Sequence, residues 1–268
     1  MLKDIKSMRI HGAREIAVAA LKELKKIAKE EGFGKEFNKA CRTFLCVRPT
    51  AVALHNAIQL IKKEKSIDAI DKMIYYFENI GEVIGFQNYK IIKNGSTLLT
   101  HCYSGSVVDF LKVAKKKGRK FKVIVTETRP MWQGKDTARE LTTAGIPVVY
   151  IVDSAAGYFV KDVDAMVFGF DSLRREGVVN KIGTYMLAVL AKENKIPVYF
   201  IGGLLKLDKR KKFKIEERKP SEVIRKRETK KFDVRNPQFD ITNWRYVTAV
   251  VTERGILKPV QIKRKLRR

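Results

Sequence analysis

From residue 97 to residue 252 the chain alternates short, β-branched apolar runs with stretches of helical length, and few folds satisfy that rhythm. The runs fall at 97–100, 121–126, 147–152, 165–169, 197–201 and 246–252. Helical stretches at about 104–117, 135–144 and 178–194 separate most of them. This alternation predicts βαβ units and a mainly parallel sheet. The run Val148-Val149-Tyr150-Ile151-Val152 has no polar alternate position, as expected of a strand covered by helices on both faces.

The residues ahead of this region follow a different period. Ile16, Ala19, Ala20, Leu24 and Ile27 share one face of a helix over 14–29, and Gly32–Gly34 interrupts it. A second helix is predicted over 36–46. Pro49 stands where a third could begin, continued by Ala51, Leu54, Ile58 and Leu60. Residues 67–86 supply a fourth, and Asn94-Gly95 is a turn signal. The reading is an α/β chain: a helical N-terminal domain over 1–93, then a Rossmann-like domain over 94–268.

Sheets of this kind bind ligands beyond the carboxyl ends of their strands. The turns there are rich in chemistry. They read Thr100-His101-Cys102-Tyr103-Ser104, Thr126-Glu127-Thr128-Arg129-Pro130 with Gln133-Gly134, Asp153-Ser154-Ala155-Ala156-Gly157, and Gly169-Phe170-Asp171 followed by Asn180-Lys181-Ile182-Gly183-Thr184.

Charge narrows the partner classes. The net charge is +27, from 56 Lys and Arg against 29 Asp and Glu. Surface enrichment in ion pairs raises both signs together, so it accounts poorly for such an excess. A polyanion would relieve the self-repulsion. The excess is also clustered. Residues 206–231 hold thirteen bases against five acids, 258–268 hold six bases and no acid, and 112–122 hold seven and none. Candidate RNA contacts are Lys115, Lys116, Lys117 and Arg119; Lys209, Arg210, Lys211 and Lys212; Arg225, Lys226 and Arg227; and Lys263, Arg264, Lys265, Arg267 and Arg268. Phe213, Phe232, Trp244 and Tyr246 lie nearby and could stack on unpaired bases, although Trp244 and Tyr246 suit a core or a dimer contact equally well.

Lys3, Asp4, Lys6, Arg9, Arg14 and Glu15 crowd the first twenty residues with both signs of charge, unlike a secretory signal. No apolar run approaches the roughly 18 residues needed to span a bilayer. Cys41, Cys46 and Cys102 read as reduced thiols of a cytoplasmic protein. Cys41 and Cys46 lack further ligands at zinc spacing, so neither a metal nor a cofactor is expected.

In their order along the chain these motifs resemble the family of translation initiation factor 2B alpha, beta and delta subunits, which includes methylthioribose-1-phosphate and ribose-1,5-bisphosphate isomerases. The resemblance rests on Gly12-Ala13, Arg48-Pro49-Thr50-Ala51-Val52, the turns above, Phe239-Asp240-Ile241-Thr242 and Thr252-Glu253-Arg254-Gly255-Ile256. It implies a helical domain on a Rossmann-like domain and a homodimer formed through the latter. The isomerases' catalytic Cys and Asp match Cys102 and Asp171. Their phosphate and sugar ligands match Arg48, Arg129, Gln133, Asn180 and Lys181, and Lys206 keeps a family lysine position. A thiol and a carboxylate could move the protons of an aldose–ketose conversion, and guanidinium groups meet phosphate oxygens in a fork.

Four positions depart from the isomerase pattern. His11 replaces an arginine, Tyr103 replaces a small polar residue, Phe170 replaces an alanine, and Gly202-Gly203-Leu204-Leu205-Lys206 lacks the usual acid. With the clustered charge, they favour a basic homodimer that binds ribosomal RNA or the small ribosomal subunit in translation control. The alternative is an aldose-phosphate isomerase using Cys102 and Asp171. A remnant pocket that takes a sugar phosphate or a nucleotide as a regulatory ligand is a third possibility.

Overall fold

A computed structural model describes residues 13–267 except 48, 49, 212 and 230. His11, Gly12, Arg48, Pro49, Lys212 and Arg268 therefore lie outside the described residues. The chain divides into two compact units. One comprises residues 1–80 with Leu204–Leu207, and the other Gly81–Gly203 with Asp208–Arg268. The division falls inside a helix, ahead of the Asn94-Gly95 turn at which the sequence places it.

The first unit contains α1 (Ala13–Glu31), α2 (Lys35–Val47), α3 (Val52–Glu64) and the start of α4 (Ile67–Asn88). Its core takes Ala20, Leu24, Leu54, Ile58, Ile70 and Phe77 from the faces read by the 3.6-residue period, adds Leu21, Phe37, Phe44 and Ile61, and leaves Leu60 exposed. Lys65 takes a left-handed conformation (φ 48°) and its N–H caps the Ile61 carbonyl, which ends α3.

In the second unit, β1 (Ser96–Thr100), α5 (Gly105–Lys116), β2 (Phe121–Thr126), α6 (Gly134–Thr143) and β3 (Val148–Ile151) follow in order. After the short α7 (Ala156–Phe159) come β4 (Ala165–Phe168), β5 (Ser172–Leu173), β6 (Gly177–Lys181), α8 (Thr184–Glu193), β7 (Val198–Ile201), β8 (Phe239–Asn243), β9 (Ala249–Thr252), β10 (Gly255–Leu257) and α9 (Pro259–Arg267). The main sheet runs β10-β9-β7-β4-β1-β2-β3, parallel except for β10, and β5-β6-β8 form a small antiparallel sheet. Among the described residues no helix is long and apolar enough to cross a membrane.

This strand order decides where chemistry can occur. From β1 the chain winds outward through β2 and β3, then returns to lay β4 on the other side of β1. The connections after β1 and β4 therefore diverge and leave a crevice at their carboxyl ends. Cys102 follows β1, and Asp171 follows β4.

Two sequence readings need correction. Val149, Tyr150 and Val152 are 41–51% exposed, so this run is not buried on both faces. β3 is the last strand of the sheet, and an edge position leaves it uncovered within one chain. Residues 178–181 are strand rather than helix. They pair antiparallel with β8, and only after Gly183, at φ +101°, does the chain turn into α8.

Candidate active site

Cys102 sits in a left-handed conformation (φ 68°) just past β1, and its backbone is fixed from two sides. Its N–H donates to Thr128 Oγ1 (2.8 Å), and its carbonyl accepts from Thr137 Oγ1 (2.9 Å). The thiol lies 3.6 Å from Gln133 Oε1. Thr128 is itself left-handed (φ 62°), held because Asp153 accepts from the N–H groups of Thr128 (2.8 Å) and Arg129 (2.7 Å). One carboxylate beyond β3 thus orders the turn beyond β2, which in turn orders the turn beyond β1.

Burial pushes the Cys102 thiol up to about 11. Lys181 pulls it down, and Asp171 and Asp153 add to the rise. Lys181 and Asp171 therefore both lie within electrostatic reach of Cys102. Asp171 is half-buried, anchored by its N–H on the Val179 carbonyl (2.8 Å). Lys181 is buried, with its ammonium 6.0 Å from the Phe239 ring centroid. Among the described residues it forms no ion pair, and a buried cation without a carboxylate is costly unless an anion joins it. Asn180 is buried beside it and donates to Thr184 Oγ1 (3.0 Å).

Arg129 stacks on Trp132 at 4.5 Å and donates to the carbonyls of Pro130 (3.3 Å) and Val223 (2.9 Å). A cavity of about 210 Å³ opens beside it, lined by His101, Thr126, Asp153, Ile182, Gly183, Met186 and Leu187. Lys206 ends the short helical turn Leu204–Lys206, which belongs to the first unit. Of the residues read from sequence, Cys102, Gln133, Arg129, Asn180, Lys181 and Asp171 all stand on turns or strand ends of the second unit. His101, Thr126, Thr128 and Asp153, which the sequence reading did not single out, supply the frame. Their signal was position: each ends or follows a parallel strand. Among the described residues no group of His, Cys, Asp and Glu could hold a metal ion.

Two of the departures have side chains held by other parts of the fold. The Phe170 ring packs over Gly202. Tyr103 extends to α6, where its hydroxyl donates to Glu140 (2.7 Å), and Lys112 also reaches Glu140 (2.5 Å).

The basic segments are also partly built into the fold. Asp208 is buried between Arg174 (2.5 Å) and Arg210 (2.8 Å). Arg218 pairs with Glu222 (2.7 Å). Arg174 stacks on Phe213 (4.7 Å), and Trp244 is core, donating to the Arg174 carbonyl (3.0 Å). Residues 259–267 form α9, with Ile262 and Leu266 buried. Lys117 and Arg119 lie over Phe86 and Tyr89 (4.8 and 5.5 Å). Lys115, Lys116, Lys209, Lys211, Arg225, Lys226, Arg227, Lys263, Arg264, Lys265 and Arg267 are exposed, as solvated charge usually is.

Comparison with known proteins decides between the two readings. The chain is 37% identical to a ribose 1,5-bisphosphate isomerase of Pyrococcus furiosus, over 96% of this chain and 89% of that one. Its fold matches a Pyrococcus horikoshii structure described as translation initiation factor eIF-2B (TM-score 0.84, 29% identity, 96% and 95% of the two chains). It also matches a 5-methylthioribose 1-phosphate isomerase from that organism (0.78, 32%, 99% and 85%). Sugar-phosphate isomerases related over nearly the whole chain overturn the expectation of a ribosomal-RNA-binding protein. Net charge misled because it records composition, whereas the conformation of the strand-end turns records chemistry. Residues 9–259 match the profile of the initiation factor 2 subunit family, and with the strand order and turns described above, the chain belongs to that family.

Proposed function

We propose that the protein is an aldose–ketose isomerase acting on ribose 1,5-bisphosphate or a closely related pentose phosphate. The observation that carries this reading is Lys181: a buried ammonium without an ion-pair partner among the described residues, within electrostatic reach of a buried thiol on which Asp171 also acts. A phosphate supplies the missing anion. Arg129, Gln133 and Asn180 are the further ligands.

The protonation states suit isomerisation. Burial keeps the Cys102 thiol protonated, while Asp171 acts as a carboxylate. The thiol gives its proton to the ring oxygen as the C1–O bond breaks. Asp171 takes the proton from C2, forming a C1=C2 enol. The enol hydroxyl returns a proton to the thiolate as the C2 carbonyl forms, and Asp171 delivers its proton to C1. Both groups end as they began. Purified protein offered ribose 1,5-bisphosphate is expected to form ribulose 1,5-bisphosphate, with Cys102→Ser and Asp171→Asn each lowering kcat by at least about 10²-fold. Turnover that survives both substitutions would remove the assignment.

The partner is a second copy of the chain. Met131, Trp132, Val149 and Tyr150 are 41–49% exposed around the uncovered edge at β3, an apolar surface suited to a two-fold contact. Reduced Cys41, Cys46 and Cys102 suit a cytoplasmic location.

A further inference from the structure

His101 is buried and both ring nitrogens are engaged. Nδ1 lies 2.6 Å from Thr126 Oγ1, and Nε2 lies 2.8 Å from the Ile182 carbonyl oxygen. A carbonyl only accepts, so Nε2 carries the proton and Nδ1 accepts from the Thr126 hydroxyl. Asp153 Oδ1 is 3.7 Å from Nδ1. Burial lowers the ring's pKa against the Ile182 carbonyl and Asp153, which raise it, and the ring stays neutral. The approach to Ile182 depends on its neighbour. A Cβ on Gly183 would stand 3.2 Å from both Cε1 and Nε2 of the ring.

One peptide bond beyond His101 is Cys102, and one before Ile182 is Lys181. We propose that His101 is the positioning residue of this site: its ring ties the turn that carries Cys102 to the turn that carries Lys181, and so holds the ammonium beside the thiol. The ring touches no reacting atom in this assignment. Its effect on turnover rests on the isomerase reading, whereas its effect on the thiol does not.

The groups acting on the thiol are Lys181, Asp171, the Tyr103 backbone N–H and Asp153, with Gln133 Oε1 at 3.6 Å. Of these, only Lys181 is cationic and held by His101. With the burial of the thiol unchanged, loosening the tie makes the thiol harder to ionise. The test follows alkylation of Cys102 by iodoacetamide against pH, read by peptide mass spectrometry so that Cys41 and Cys46 are scored separately. His101→Asn keeps a partner for Thr126 but falls short of Ile182, and it should raise the Cys102 midpoint by about one unit, a tenfold loss of thiolate at fixed pH. His101→Gln, which can still donate to Ile182, should restore the wild-type midpoint. Gly183→Ala keeps His101 but sets a Cβ 3.2 Å from its ring, which pushes the turn off it, and should shift the midpoint as His101→Asn does. It serves if His101→Asn fails to fold. With ribose 1,5-bisphosphate, kcat/KM should fall about tenfold in the shifted variants. Unshifted midpoints in both His101→Asn and Gly183→Ala would overturn the proposal. A shifted midpoint in a protein that does not turn over the bisphosphate would support the tie and remove the isomerase reading.

Discussion

The Phe170 ring occupies the space that a side chain on Gly202 would need: its Cε1 lies 2.8 Å from where a Cβ at 202 would stand. Phe170 is buried, so the ring is core rather than site. The bulk that departs from the family pattern beside Asp171 is absorbed at the end of β7, where the chain has glycine. Phe170→Ala should cost about 3–5 kcal/mol and Gly202→Ala about 1–3 kcal/mol. Because the two side chains compete for one volume, the double variant should be more stable than the sum of the single losses by at least about 0.5 kcal/mol. Denaturant unfolding of the four proteins measures this, and additive losses would separate the pair.

Lys181 should trade stability for activity. Lys181→Met removes a buried charge that has no ion-pair partner among the described residues while keeping the aliphatic stem, so the variant should be at least as stable as the wild-type protein, with a gain of up to roughly 1 kcal/mol. Turnover should fall by about 10²-fold or more. Thermal unfolding with and without the bisphosphate gives a second readout. A ligand bound a hundredfold above its Kd stabilises by about 2.7 kcal/mol, and this gain should vanish in the variant.

Asp240 gives stability a pH dependence of unusual sign. Burial raises its carboxyl to about 6, although its Oδ2 accepts from the N–H groups of Gly183 (2.8 Å) and Tyr185 (3.0 Å), which lower it. The folded state therefore binds this proton more tightly than the unfolded chain, whose carboxyl titrates near 3.9. Its contribution is fully present below about pH 4 and is lost as pH rises through about 6. Relative to Asp240→Asn, the wild-type protein should gain about 1–3 kcal/mol between pH 7 and pH 4. Parallel stability curves for the two proteins would show that Asp240 is not the group responsible.

The uncovered edge at β3 should be a contact between copies. Trp132→Glu with Tyr150→Arg places opposite charges in one apolar surface, where a two-fold axis would bury both. Light scattering should give twice the chain mass for the wild-type protein and the single-chain mass for the double variant. An unchanged mass would move the contact elsewhere.

Much of the second unit was legible because its strands are apolar runs broken by helices. β1, β2, β4, β7 and β9 each fall within two to three residues of the runs read from sequence. β6 was misread because Val178 and Val179 are buried in a strand that leads straight into α8, and only the positive φ at Gly183 separates the two. That Cys102, Gln133, Asn180 and Lys181 stand on turns or strand ends was legible through their motifs. His101, Thr128 and Asp153 were not, because their role is to bond to turns 24 to 81 residues away in the chain.

The sequence by itself determined most of the elements, the α/β class and the family, because hydrophobic period and motif order are local or linear properties. It did not determine the chemistry. That depended on the strand order 3-2-1-4, which sets the turns after β1 and β4 on either side of one crevice. It also depended on burial, which pushes the Cys102 thiol up and encloses Lys181, without an ion-pair partner among the described residues. Both follow from contacts between distant segments, and a charge total of +27 records nothing of them.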